Sequence, residues 1–161
     1  MGPYLLQINE ELKIPQKLQS LAVSSVSVGG LLGCISASLL ADMCGRKKSV
    51  IVSFLFTLLG WLLVTFSINT VMFICGRVTH GLGEGMMVAI SIIYLGELIP
   101  EKYRGAALAS LTVAIQSGIT LSYVFGVFLS WRMTSGIIGS INLVFLVLSF
   151  FLMESPEWIL L

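Results

Sequence analysis

Four stretches of this chain run without a charged side chain for long enough to cross a membrane: Leu18 to Ala41, Ser49 to Gly76, Gly105 to Trp131 and Met133 to Met153. They are 24, 28, 27 and 21 residues long, where about 20 apolar residues in a helix span a hydrocarbon core of roughly 30 Å. A backbone in lipid must satisfy its own N–H and C=O groups, which only helices and closed barrels do, and these runs lack the alternation of barrel strands. The second stretch is too long for one helix and too short for two. Ser67, Ile68, Asn69 and Thr70 resolve it, because Ser, Asn and Thr crowded together compete with a helix for backbone hydrogen bonds and predict a tight turn. The expected fold class is therefore an all-α membrane protein with five helices, at about 18–41, 49–66, 71–98, 105–129 and 133–153.

Composition excludes the soluble alternative. Of 161 residues, 57% are hydrophobic and 11% charged, with a mean hydropathy of +1.00, whereas soluble domains are about 25% charged. So few charges cannot coat a core with polar surface. The net charge is +1 and the basic residues cluster only at Arg46, Lys47 and Lys48, which leaves no electrostatic footprint for nucleic acid. Cys34, Cys44 and Cys75 lie far apart, so neither a disulfide framework nor a metal site is expected, and no cofactor is implied. The N-terminus has neither the order of a signal peptide nor, with Leu6 where Ser or Thr is needed, a myristoylation motif.

The charges that remain give an orientation. Arg46, Lys47 and Lys48 lie in the loop at 42–48, and Lys102 and Arg104 in the loop at 100–104, on one side of the membrane; the other side's short loops have Arg132 alone. This places 42–48, 100–104 and 154–161 in the cytoplasm and residues 1–17 outside. An outward N-terminal segment with nothing to carry it across, and an odd number of helices, lead to the expectation that the chain is part of a longer protein or a truncated product.

Three motif regions stand at helix ends. After the first helix come Asp42, Met43, Cys44, Gly45, Arg46 and Lys47, where Gly45 permits a sharp reversal and Asp42 faces the next helix N-terminus. The second region holds Gly76, Arg77, Gly81 and Gly85, then Tyr94, Glu97, Pro100, Arg104 and Gly105. Gly81 and Gly85, four apart, make a flat strip for close helix packing, and Glu97, Glu101, Lys102 and Arg104 crowd one helix end, where ion pairs lock neighbouring helices. The third is Glu154, Ser155, Pro156, Glu157 and Trp158, with proline placed to start a new helix.

In register, D-M-C-G-R-K at 42–47, G-R-V-T-H-G-L-G-E-G at 76–85, Y-L-G-E-L-I-P-E-K-Y-R-G at 94–105, W-R at 131–132 and E-S-P-E-W at 154–158 resemble the sugar porter family of the major facilitator superfamily. The resemblance runs from Leu18 to the end. It implies a twelve-helix transporter in two six-helix halves, with sugar bound between them near mid-membrane. On that plan the chain supplies helices two to six: residues 1–17 are an extracellular segment or stub of a missing first helix, 18–153 a partial N-terminal half, and 154–161 the start of the linker between halves. The partners implied are a small-molecule sugar, the bilayer, the first helix and the C-terminal half. The resemblance further implies that Asp42, Gly45, Arg46, Glu97, Arg104 and Glu154 belong to a cytoplasmic charge network stabilising the outward-open state. Met153 in place of the usual Pro, and Glu157 where Arg is common, degrade the last motif. Residues 112–126 look most like the facilitated trehalose transporters, so facilitated uptake of trehalose or hexose at the plasma membrane is expected. A non-transporting truncated paralogue or regulatory membrane protein is the alternative. An enzyme is not expected, since no nucleophile elbow or paired aspartates appear within the helices.

Two groups of polar residues lie at bilayer depth. Arg77, His80 and Glu84 fall on one stripe of the third helix, where a charge costs about 2.5–3.5 kcal/mol on insertion scales. They serve either as a polar path in which His80 and Glu84 exchange a proton, or as a structural anchor, Arg77, beside a His80–Glu84 hydrogen bond. Thr112, Gln116 and Tyr123 form a stripe on the fourth helix, which lines the central cavity in the family, and their hydroxyl and amide groups suit a sugar. The other buried Ser and Thr are expected to bond to their own helix backbone.

Overall fold

The fold is seen in a computed structural model describing Ile8, Glu11 and residues 16–152, with the side chains of Gln16 and Lys17 excepted. The motif at 154–158, and most of the N-terminal segment, lie outside the described residues. The helices are α1 (Gln16–Cys44), α2 (Arg46–Thr65), α3 (Thr70–Leu98), α4 (Glu101–Phe128) and α5 (Trp131–Ser149). All five are long and apolar enough to cross a membrane, so the all-α membrane class and its five crossings hold.

The ends differ from expectation where charge was used to place them. The loop expected at 42–48 shrinks to Gly45, whose φ of 89° breaks the helix in a conformation that suits glycine. Likewise the loop at 100–104 is mostly the first turn of α4, begun by Pro100, with Glu101 favourably placed near the helix N-terminus. Charged residues mark where the membrane ends, whereas a helix continues into water until a cap or break stops it. At α5 the start is set by the Ser130 side chain, which accepts from the Met133 amide at 3.4 Å, and not by Arg132. Its end comes at Ser149, after which the backbone closes in tighter turns from Phe150, Phe151 and Leu152 to residues three earlier. The turn after α2 falls where expected: the Ser67 hydroxyl and amide both donate to the Val64 carbonyl.

Helix α3 is the centre of the packing, held along its length by α1 on one side and α2 on the other, while α2 also packs on α5. Glycines make these approaches possible. A Cβ on Gly81 would fall onto the Val26 carbonyl and one on Gly85 onto the Gly30 carbonyl; reciprocally, Gly29 and Gly33 of α1 sit against the carbonyls of Val78 and Leu82. The strip on α3 is as expected; its counterpart, Gly29 and Gly33, also four apart, is the half the sequence reading passed over. On the α2 side, Gly83 faces Thr57 and Gly60 faces the His80 backbone. Lipid tails are as apolar as the helices, so dispersion contact and not the hydrophobic effect holds such crossings, and small residues maximise it. Two apolar clusters fill the spaces, Ala22, Val64, Phe73 and Trp131 at one end and Ala37, Val50, Met86 and Ile90 at the other. Helix α4 is different: it touches α3 and α5 sparsely, and Gly126 is its only buried residue.

Candidate functional site

At the basic end of the bundle, the single-residue break at Gly45 sets Arg46 at the start of α2, facing the last turn of α3. The Arg46 guanidinium donates from Nε and Nη2 to Glu97 Oε1 at 2.9 and 2.7 Å, and from Nε to Oε2 at 3.2 Å. Its Nη1 donates to the Ala41 carbonyl at 3.1 Å. One side chain thus fastens the end of α1, the start of α2 and the end of α3. Both partners' side chains are only about a tenth exposed, and such a forked, charge-assisted contact is stronger than a surface ion pair. Asp42 stands at the margin: its carboxylate is 3.7 Å from Arg46 Nη1 and largely exposed, so it adds charge without a hydrogen bond. Arg104 lies exposed in the first turn of α4. Glu154 lies outside the described residues.

At bilayer depth, Thr112, Gln116 and Tyr123 are all exposed on α4. Thr112 and Gln116 line a shallow concavity with Val113, Ser117 and Thr120. The Thr112 hydroxyl donates to the Leu108 carbonyl at 3.2 Å, as Ser117 and Thr120 do to Val113 and Gln116. Each hydroxyl oxygen keeps lone pairs for a ligand donor. The same back-bonding is made by Ser24, Ser25, Thr57 and Ser122, as expected.

The stripe on α3 divides between two hollows. Arg77 lines a small cavity of about 140 Å³ with Trp61, Ser122, Trp131 and Ser135, and its Nε is buried without a hydrogen bond. His80 and Glu84 open instead onto a half-open cavity of about 690 Å³ lined by α2, α3, α4 and α5. The hydrogen bond expected between them is not made: His80 Nδ1 lies 3.8 Å from Glu84 Oε2, beyond hydrogen-bond range. Gly60 leaves room for His80 to seat against α2, where the Trp61 ring meets the imidazole edge-on, 4.6 Å between centroids. Asn142 of α5 lines the same cavity with its Oδ1 buried and unbonded. Trp61 and Asn142 were not singled out from the sequence. An amide alone in an apolar helix was the available signal for Asn142, and nothing local marks Trp61.

The family described as "Sugar (and other) transporter" matches residues 4–161. The sugar transporter ERD6 of Arabidopsis thaliana is 31% identical over 94% of this chain and 31% of its own length. The glucose transporter GlcP of Staphylococcus epidermidis is 31% identical over 97% of this chain and 36% of its own. The chain therefore spans about a third of the length of these curated relatives. Among solved structures, the inward-open xylose transporter XylE from E. coli superposes with a TM-score of 0.87 at 21% identity, over 98% of this chain and 44% of that one, a likeness of fold.

Proposed function

The chain belongs to the sugar porter family of the major facilitator superfamily, and on that footing we propose that it contributes helices two to six of a transporter that carries trehalose or a hexose by alternating access. Residues 18–153 form most of the first six-helix half on this reading, with 1–17 the end of the first helix or an outer segment and 154–161 the start of the linker. The bundle transports from the plasma membrane inward, with its Arg46 end in the cytoplasm. The observation that supports it best is the unpartnered polar stripe of α4. Thr112, Gln116 and Tyr123 expose hydroxyl and amide groups on a membrane-length helix that is hardly packed. Those groups both donate and accept, as a polyol ligand requires.

The Arg46–Glu97 fork acts as a latch in this scheme. It holds three helix ends together, and alternating access needs such ends to lock in one state and part in another. Asp42 and Arg104 supply further charge around it, and Glu154 is assigned to the same network. The test is uptake of labelled trehalose and glucose by cells expressing the full-length reading frame, beside cells expressing these 161 residues alone. Saturable uptake by the former, lost in Gln116→Ala and absent from the latter, is the expected result. Equal uptake by parent and Gln116→Ala would remove the stripe from the sugar path, and no uptake of either sugar would end the proposal.

A further inference from the structure

We propose that Glu84, His80 and Asn142 form a proton-binding site in the cavity between α2, α3, α4 and α5, distinct from the α4 stripe. All three side chains line this space, and none is hydrogen-bonded to another. His80 Nδ1 and Asn142 Oδ1 are each buried without a hydrogen bond, and the Glu84 carboxylate, about half exposed, opens into the same space. The remaining walls are mainly apolar, among them Phe54, Ile115 and Phe145. Burying polar atoms unbonded is costly, so a ligand that brings a donor is favoured, and the smallest is a proton.

Charge leads to the same conclusion. Among the described residues Glu84 is the only carboxylate at the middle of a membrane-crossing helix. No titratable side chain faces it from α2, which presents Phe54, Thr57 and Trp61, from α4, which presents Ile115, Gly118 and Ser122, or from α5, which presents Asn142 and Phe145. Cys34 of α1 is turned to the Gly85 carbonyl at 3.4 Å. On α3 itself Arg77, seven residues away and about 10 Å along the axis, lines the other cavity, and its charge still acts on both Glu84 and His80. A proton taken up between Glu84 Oε2 and His80 Nδ1 cancels the net negative charge of the pair. It also turns their 3.8 Å separation into an O–H···N or N–H···O bond, which leaves the other ring N–H of His80 as the one remaining donor of the pair. Gly60 and the edge-on Trp61 hold the imidazole in place for this exchange.

The chain has one histidine, so a chain labelled with ¹⁵N-histidine gives a single imidazole spectrum. Recorded in lipid nanodiscs without sugar from about pH 4 to 9, that spectrum shows one protonation step. In Glu84→Gln, isosteric and neutral, the step moves by about one pH unit or more; in Asn142→Leu it moves by less. Superimposable titrations of the parent and Glu84→Gln chains, with Asn142→Leu also unchanged, would overturn the site. So would a shift of the same signals by trehalose or glucose at fixed pH, since hydroxyl donors and not a proton would then fill the cavity. The proposal rests on the membrane fold and not on transport, so failed sugar uptake and a failed titration are separate results.

Discussion

Helices α3 and α4 are nearly equal in length, 29 and 28 residues, and both are rich in small and polar side chains. Yet α3 buries Gly76, Gly81, Gly83 and Gly85 against two neighbours, whereas Gly105 and Gly118 of α4 have nothing within 4 Å of where a Cβ would stand. The difference teaches that a glycine in a membrane helix is a packing device only when a second helix carries the matching strip. Gly29 and Gly33 supply that match for α3. For α4 the described residues supply none, and its Thr112, Gln116 and Tyr123 are exposed where a ligand or another helix can reach them.

The sharpest way to break this comparison is to add side chains. Gly81→Val with Gly85→Val drives methyls into the Val26 and Gly30 carbonyls. Rigid backbone cannot yield as a flexible side chain does, so we expect a loss of more than about 3 kcal/mol, read as the denaturation midpoint of the chain in mixed micelles. Wild-type stability in that double variant would mean the α1–α3 crossing is not as close as described. Next in size is Glu97→Ala, which strands the Arg46 guanidinium at the end of α3. A cost of about 2 kcal/mol is expected in the same measurement, together with faster proteolysis near Gly45. A like cost for Arg104→Ala on exposed α4 would contradict the assignment of the latch to Arg46 and Glu97.

Smaller effects test α4 itself. Thr112→Val and Gln116→Ala should change stability by no more than about 0.5 kcal/mol, as exposed substitutions do, while reducing sugar uptake by the full-length protein; a large loss of stability would show that the stripe packs. The smallest effect is expected of Gly118→Ala, within a few tenths of a kcal/mol and towards greater stability, because the methyl meets nothing and the helix loses less backbone freedom. If Gly118→Ala proved as damaging as Gly85→Ala, the contrast between the two helices would collapse.

Much of the fold was legible before any coordinate. Ser67 to Thr70 gave the turn, and the glycine spacing at 81 and 85 gave a packing face. Helix ends were misplaced wherever a charge stood in for a cap, at Arg46, Glu101 and Arg132, because charge reports the edge of the lipid and the backbone reports the end of the helix. Of the candidate site, the residue types were legible and their grouping was not. Arg77, His80 and Glu84 share a stripe by periodicity, but only the packing sends Arg77 to one cavity and the other two to another. The His80–Glu84 bond, natural for residues four apart, fails because His80 is seated by Gly60 and Trp61, more than 18 positions away in sequence.

What the sequence alone determined is the solvent, the number of crossings and their order, since lipid acts on each helix separately and demands about 20 predominantly apolar residues of it. What the tertiary structure alone decided is which faces meet: Gly29 and Gly33 against α3, Arg46 against Glu97, and Glu84, His80 and Asn142 around one cavity. With no hydrophobic force to choose partners inside the bilayer, that choice falls to the fit of small side chains and stray polar groups on segments some 50 residues apart, and fit between distant segments is not written in either one.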